Sequence, residues 1–405
     1  MRWKYLSRWV ASELKEALEF ARVLVLTGAR QTGKTTLLRE EEPFKSWTYL
    51  SLDDLEVLDL ALKSPRDLLA VGPNLVLDEV QKAPRLLSAV KMAVDREPKR
   101  RFVLSGSSHL LLMKKVSESL AGRAAYVELL PFALGELGEL PSTRAGWWLE
   151  GEEMEPPWSS PPGELEFLLF RGFLPPVTFL KRERDIFAWW RGYVRTYLER
   201  DLLDLARITH LPDFRRLMEL LALRSGGLLR VVDLARDLGL PQSTVSRYLN
   251  LLETSGLVYR LPSFTRNRAK RVIKAPKVYF LDPGLCAHLM RYRSPQELRP
   301  EDRARLLETL VFLNLKVIAE LQRGELFYFR TYGGREREVD FVLEIGGQVL
   351  AFEVKSRSRV GLSEAENLRF LREVTPNFHR GFVVYTGDEI RPLGENIYTL
   401  PWWCL

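Results

Sequence analysis

The sequence predicts an α/β protein of several domains. An N-terminal open parallel sheet with helices comes first, then a central helical connector with a winged helix, then a C-terminal α/β domain. Three observations carry this. A strand-like run from Arg22 to Leu26 leads into a glycine-rich turn and then a helix-permissive stretch. Two short helical runs meet at Gly239 and precede two strand-like runs. Near the C-terminus an acid and an acid–x–lysine triplet fall on consecutive strands linked by a glycine turn.

At 405 residues the chain exceeds one ordinary core, so two to four domains are expected. Hydrophobic residues make up 46% and charged residues 28%, the balance of a globular chain and not a disordered one. The formal net charge of +7 and pI near 9.3 are mildly basic, compatible with nucleic acid without requiring it. Cys286 and Cys404 offer neither a disulfide framework nor a zinc pattern, and the histidines show no metal spacing. The N-terminal stretch lacks a signal-peptide apolar core, and no apolar run is long enough to span a bilayer. A cytoplasmic location with no membrane partner is the expectation.

In the first element, Gly28, four residues, Gly33, Lys34 and Thr35 fit the spacing GxxxxGK[ST]. Glycines let the backbone turn tightly and bring N–H groups against phosphate oxygens. The following helix points its unpaired N–H groups at the same anion. Gly28, Ala29, Arg30, Gln31, Thr32, Gly33, Lys34, Thr35 and Thr36 are therefore the candidate nucleotide cradle. Lys34 would reach the β- and γ-phosphates, and the Thr35 hydroxyl would hold Mg²⁺.

Around this loop the chain reads in order. Residues from about 5 to 20 form an amphipathic helix with Leu6, Val10, Leu14 and Leu18 on one side. Trp47 to Leu52 is a strand, Asp53 and Asp54 sit where a helix cap is wanted, and Leu55 to Ala70 is helical. Asn74 to Glu79 is an apolar strand ending in two acids, at the edge where ligands bind in open α/β sheets. Asp78 would act on Mg²⁺ through its water shell, and Glu79 would orient the attacking water. Arg101 to Ser108 is a strand beside the first, placing Ser105 or Ser107 near the γ-phosphate. Arg123 precedes a further strand. It could stabilise phosphoryl transfer from its own or a neighbouring subunit, which leaves a homo-oligomer open, or it could be a structural ion pair.

The segments GARQTGKTT, LVLDEVQKAP, VLSGSS, ESLAGR and LLPFALGEL together resemble the AAA+-type ATP-binding proteins that carry a C-terminal DUF4143 domain. The resemblance continues to nearly the end of the chain. It implies a parallel sheet flanked by helices and ATP as the nucleotide. Lys34 and Thr35 match the Walker A lysine and hydroxyl, and Asp78 and Glu79 match the Walker B pair.

Residues from about 140 to 165 are rich in Pro, Ser, Glu and Gly and read as a linker. Phe167 to Arg207 read as helices with interleaved aromatics and arginines, among them Phe187, Trp189, Trp190, Tyr193 and Tyr197. Such a stripe could stack on bases, but helix core is the plainer reading. Val231 to Leu238 and a second helix that Pro241 or Gln242 opens, running to Glu253, then form a helix-turn-helix, and the runs Leu257–Leu261 and Lys277–Leu281 could pair as its wing. Gln242, Ser243, Thr244 and Arg247 on the second helix, with Arg266, Arg268, Lys270 and Arg271 in a basic loop, form the candidate DNA-binding surface.

In the last element, Asp340 followed by Glu353 and Lys355 is the pattern of a PD-(D/E)xK nuclease core. Residues two apart on a strand share a face, so Glu353 and Lys355 would share a site. Asp340 and Glu353, with Glu308 from a preceding helix, would hold Mg²⁺ or Mn²⁺. Lys355 would position or deprotonate the water. The DUF4143 resemblance implies a similar fold.

The expected domains are an ATPase core at 1–140, a linker at 141–165, a helical connector or lid at 166–225, a winged helix-turn-helix at 226–290 and a nuclease-like domain at 300–405. The expected function is an ATPase coupled to DNA binding, with metal-dependent cleavage at the C-terminal domain. Two alternatives stand beside it: a nucleotide-dependent switch with an inactive nuclease-like domain, and a protein-remodelling ATPase that does not bind DNA.

Overall fold

The computed structural model describes residues 4–106, 120–149, 156, 158, 160–196, 210–265, 271, 274–331 and 336–405. The chain forms two compact units, Met1–Phe132 with Thr254–Leu257, and Ala133–Glu253 with Val258–Leu405.

The first unit is built on strands β1 (Val23–Thr27), β2 (Thr48–Ser51), β3 (Asn74–Asp78), β4 (Arg101–Ser105) and β5 (Ala124–Glu128). Their order is β2-β3-β4-β1-β5, every neighbour parallel. β1 is buried throughout, as an interior parallel strand must be, because helices cover both sheet faces. Alternation then divides the core. Val23 and Val25 join Leu86, Val90 and Val94 of helix Leu86–Arg96 on one face. Leu24 and Leu26 join Leu14 and Ala17 of helix Val10–Phe20 on the other.

Two elements differ from expectation. The N-terminal helix starts at Val10, and Leu6 is buried ahead of it. The run after Asp54 is two helices, Leu55–Lys63 and Pro65–Leu69. Pro65 has no N–H to continue the first and instead opens the second. The cap is as expected: Asp54 Oδ1 accepts from Glu56 N at 2.9 Å and Val57 N at 3.3 Å.

The second unit contains helices Val231–Leu238 and Gln242–Thr254, separated by Gly239 at φ 68°. Antiparallel strands β6 (Val258–Leu261) and β7 (Lys277–Phe280) follow as the wing. Beyond helix Pro300–Leu321 lie β8 (Glu325–Arg330), β9 (Glu338–Ile345), β10 (Gln348–Lys355), β11 (Phe378–Tyr385), β12 (Pro392–Gly394) and β13 (Ile397–Pro401). They form one mixed sheet in the order β12-β13-β11-β10-β9-β8.

The expected linker is not free. Trp148 is fully buried, its ring 5.1 Å from Phe352 and 5.8 Å from Phe382 in edge contacts. Trp147 Nε1 donates to Cys404 O at 2.9 Å and Trp158 Nε1 to Trp403 O at 2.8 Å. The first compact unit runs to Phe132, and Leu134 N bonds Asn314 Oδ1 at 2.8 Å within the second.

The aromatic stripe on helix Glu183–Tyr193 is helix core. Trp190 is buried with its Nε1 on Arg171 O at 3.0 Å, and Trp189 stacks on Tyr193 at 5.3 Å. Tyr197 lies outside the described residues.

Candidate nucleotide site

The loop after β1 has a backbone only glycine can supply at its start. Gly28 has φ +140°, and a Cβ there would stand 2.3 Å from the Leu129 carbonyl oxygen. Gly33, at φ 94°, caps helix Lys34–Glu40. Gln31 also takes a left-handed φ of 69°, so successive N–H groups curl inward as an anion nest does. Arg8, which sequence reasoning missed, braces this curl. It is buried and donates to Thr32 O at 3.0 Å and Leu130 O at 2.7 Å, with its guanidinium 4.3 Å from the Phe132 ring centroid.

Lys34 is buried beneath the loop, its Nζ donating to Gly28 O at 3.0 Å and Ala29 O at 2.9 Å. Burial lowers its pKa to about 8, against the pull of Glu79 and Asp78. Thr35 and Thr36 are exposed at the helix start, Arg30 is half-buried, and Thr32 Oγ1 ties back to Ala29 O at 2.9 Å. Thr35 Oγ1 donates to Asp78 Oδ2 at 2.8 Å. Tyr49 OH donates to the same oxygen. That contact was not legible either, since a tyrosine in a strand is ordinary.

Glu79 follows β3 in a left-handed turn at φ 56° and takes a hydrogen bond from Gln81 Nε2. Burial, then the adjacent Asp78 charge, raises its pKa. Ser105 ends β4 beside Leu26; its Oγ is buried and has no hydrogen-bond partner among the described residues. Ser107 lies outside them. The loop, Thr35, Asp78, Glu79 and Ser105 therefore gather at the C-terminal edge of β1, β3 and β4.

Arg123 does not join them. It precedes β5, whose Ala124 pairs with Val23 at the start of β1, a strand length of about 15 Å from the loop. There it grips Asp95, Nε to Oδ1 at 2.7 Å and Nη2 to Oδ2 at 3.0 Å. A role on a phosphate of its own subunit is removed.

On the helix-turn-helix, Gln242, Ser243 and Arg247 are exposed and Thr244 is half-buried; the Arg247 guanidinium lies 5.4 Å from the Tyr248 ring centroid. Arg271 is withdrawn from any such surface. Its side chain pairs with Glu344 at 3.0 Å and Glu325 at 3.6 Å and lies over Phe327 at 4.4 Å. Arg266, Arg268 and Lys270 lie outside the described residues.

The C-terminal sheet does bring Glu308, Asp340, Glu353 and Lys355 into one neighbourhood, with a fifth group that the sequence did not mark. Lys277 of β7 is buried among them, 2.6 Å from Glu338, 3.5 Å from Glu308 and 3.7 Å from Asp340. Lys355 pairs with Glu353 at 2.7 Å, and Asp340 Oδ2 accepts from Val354 N at 2.8 Å. Burial and the Asp340 charge raise Glu308 to about 7 and Glu353 to about 8. The Mg²⁺ or Mn²⁺ expected on Glu308, Asp340 and Glu353 does not fit this arrangement. Among the described residues no group of three acidic, histidine or cysteine side chains is disposed to hold a metal.

A glycine-rich loop, a buried lysine and a strand-end acid pair on a parallel 2-3-4-1-5 sheet define a P-loop ATPase of the AAA type. Residues 21–138 match the AAA domain, 163–296 a domain of unknown function, DUF8612, and 303–405 another, DUF4143. The uncharacterized proteins Rv2008c of Mycobacterium tuberculosis and Mb2031c of Mycobacterium bovis are each 32% identical over 399 residues, covering 97% of this chain and 83% of the relative. The uncharacterized protein MJ1544 of Methanocaldococcus jannaschii is 24% identical over 339 residues, covering 80% and 72%. The chain belongs to this family of AAA-domain ATPases with a C-terminal DUF4143 domain.

Solved structures similar to it include an ATPase and a motor. The Walker-type ATPase PABY2304 of Pyrococcus abyssi has 18% identity and a TM-score of 0.43, covering 70% of this chain and 94% of that one. The RuvB Holliday junction branch migration motor of Thermotoga maritima has 19% identity and a TM-score of 0.28, covering 62% and 89%. No described helix is long and apolar enough to cross a membrane.

Proposed function

We propose that the protein hydrolyses ATP with Mg²⁺ and uses the nucleotide state to control engagement of duplex DNA by its winged helix. The observation that carries the hydrolytic half is the convergence of Lys34, Thr35, Asp78 and Glu79 at one sheet edge. Lys34 donates to loop carbonyls here, so a phosphate chain would draw its ammonium out of them and hold it in the charged form. Thr35 and Asp78 would hold Mg²⁺, which supplies neutralisation of the β- and γ-phosphate charge when bound. Glu79 orients the attacking water, and its raised pKa suits a group that also shares the proton. The Ser105 Oγ, which has no hydrogen-bond partner among the described residues, is a donor for which a γ-phosphate oxygen would be an acceptor.

For DNA, the support is Gln242, Ser243 and Arg247 standing exposed on the second helix of a helix-turn-helix with a wing beside it. The experiment is retention of labelled duplex with and without ATP. Retention should respond to ATP in the wild type, lose that response in Lys34→Ala, and weaken in Arg247→Ala while ATP turnover persists. Duplex retention unchanged in Arg247→Ala would remove the second helix as the DNA surface, and retention absent in every state would favour a remodelling ATPase acting on proteins.

A further inference from the structure

The acidic neighbourhood of the C-terminal sheet already holds a cation of its own. Lys277 is the first residue of wing strand β7, and only 4% of its side chain is exposed. Its ammonium faces Glu338 and Asp340 of β9 and Glu308 of helix Pro300–Leu321, at 2.6, 3.7 and 3.5 Å. Tyr279, two residues along and so on the same face, donates to Glu308 Oε1 at 2.6 Å.

The backbone around Lys277 is built to keep it there. Gly226 N donates to Val278 O at 2.7 Å, and Val278 N donates to Gly227 O at 3.0 Å. Gly226 has φ +84°, and a Cβ on it would come within 3.0 Å of Glu308 Oε1. The glycine thus admits the carboxylate and pins the strand that carries the lysine.

Three of the oxygens a divalent ion would need are engaged elsewhere, while Glu353 Oε2 is buried with no hydrogen-bond partner among the described residues. Asp340 offers one to Lys277 and the other to Val354 N; Glu353 Oε1 is paired with Lys355. Access is not what keeps a metal out, because a cavity of about 400 Å³ lined by Gly226, Arg305, Glu308 and Ser356 opens beside the cluster. A buried carboxylate group of this kind requires a paired cation, and Lys277 supplies one to Glu308, Glu338 and Asp340.

We infer that the Lys277 ammonium stands where a nuclease of this pattern would hold its divalent ion. The domain therefore takes no such ion, does not cut nucleic acid, and uses its acids to fasten the wing strand.

The test is Mn²⁺ binding to the full chain, read by electron paramagnetic resonance and thermal melting, in an Asp78→Asn background that removes the nucleotide site's metal. The otherwise wild-type chain should bind no Mn²⁺ that depends on Asp340, and its Tm should not move. Lys277→Ala should melt several degrees lower, recover on Mn²⁺ addition, and bind about one ion, lost again in Lys277→Ala/Asp340→Asn. Asp340-dependent Mn²⁺ uptake or DNA cutting by the chain with Lys277 intact would overturn the inference, whether or not the variant folds. So would a Lys277→Ala chain that melts as the parent does and gains no ion.

Discussion

Thr35 donates its hydroxyl to Asp78 Oδ2 across 2.8 Å, and Tyr49 donates to that same oxygen from the neighbouring strand. The acid expected beside Mg²⁺ is therefore engaged by two hydroxyls before any nucleotide arrives.

Removing one of them has a directional consequence. In Tyr49→Phe the Asp78 carboxylate loses a competitor for the metal, so half-maximal ATP turnover should occur at a lower Mg²⁺ concentration, with kcat within about twofold of wild type. Turnover measured against Mg²⁺ checks this; an unmoved curve would make Tyr49 a packing residue.

Lys34 and Glu79 should separate binding from chemistry. Lys34→Ala should lose ATP binding in filter or fluorescence assays. Glu79→Gln should bind ATP as well as wild type and turn over about 10² to 10⁴-fold more slowly, the usual worth of a positioned base. Equal turnover in Glu79→Gln would remove the role assigned to it.

Trp148 plugs the second unit against Phe352 and Phe382. Trp148→Ala should cost about 3–5 kcal/mol, the range for emptying a large buried aromatic site. Urea unfolding followed by circular dichroism should show the loss, and a cost below about 1 kcal/mol would return the segment to linker status.

His288 sets an acid limit. Burial, then the Arg191 charge, holds its folded pKa at about 4, against 6.5 for a free imidazole. Between those values the unfolded chain binds the extra proton, so stability falls as pH drops from about 6.5 towards 4. His288→Gln should shrink the difference between urea midpoints at pH 7 and pH 5; an unchanged difference would mean that folded His288 titrates normally.

Much of this was readable in the chain because local rules decided it. The loop, its helix and Asp78 followed from spacing and strand context, and the helix-turn-helix bounds from Gly239 and Pro241. Long-range partners were not readable. Lys277 reads only as the start of a wing strand, yet Glu308 and Asp340, far along the chain, pair with it in a buried site. Arg271 looked like one more cation of a DNA-facing loop until β8 and β9 supplied its acids. Arg123 lay near enough in sequence to suggest chemistry, but parallel pairing put it at the wrong strand end. Proline and glycine content drew attention away from Trp147, Trp148 and Trp158, which anchor the described part of residues 140–165.

Those anchors also decide what an optical experiment would see. Trp147, Trp148, Trp158, Trp189, Trp190, Trp402 and Trp403 belong to the second unit, while the described tryptophans of the first are Trp9 and Trp47. Intrinsic emission is thus weighted heavily towards the half of the molecule without the phosphate loop. A spectral shift on adding ATP would chiefly report a response in that half, so the unlabelled protein offers an optical test of the proposed control of the winged helix by nucleotide.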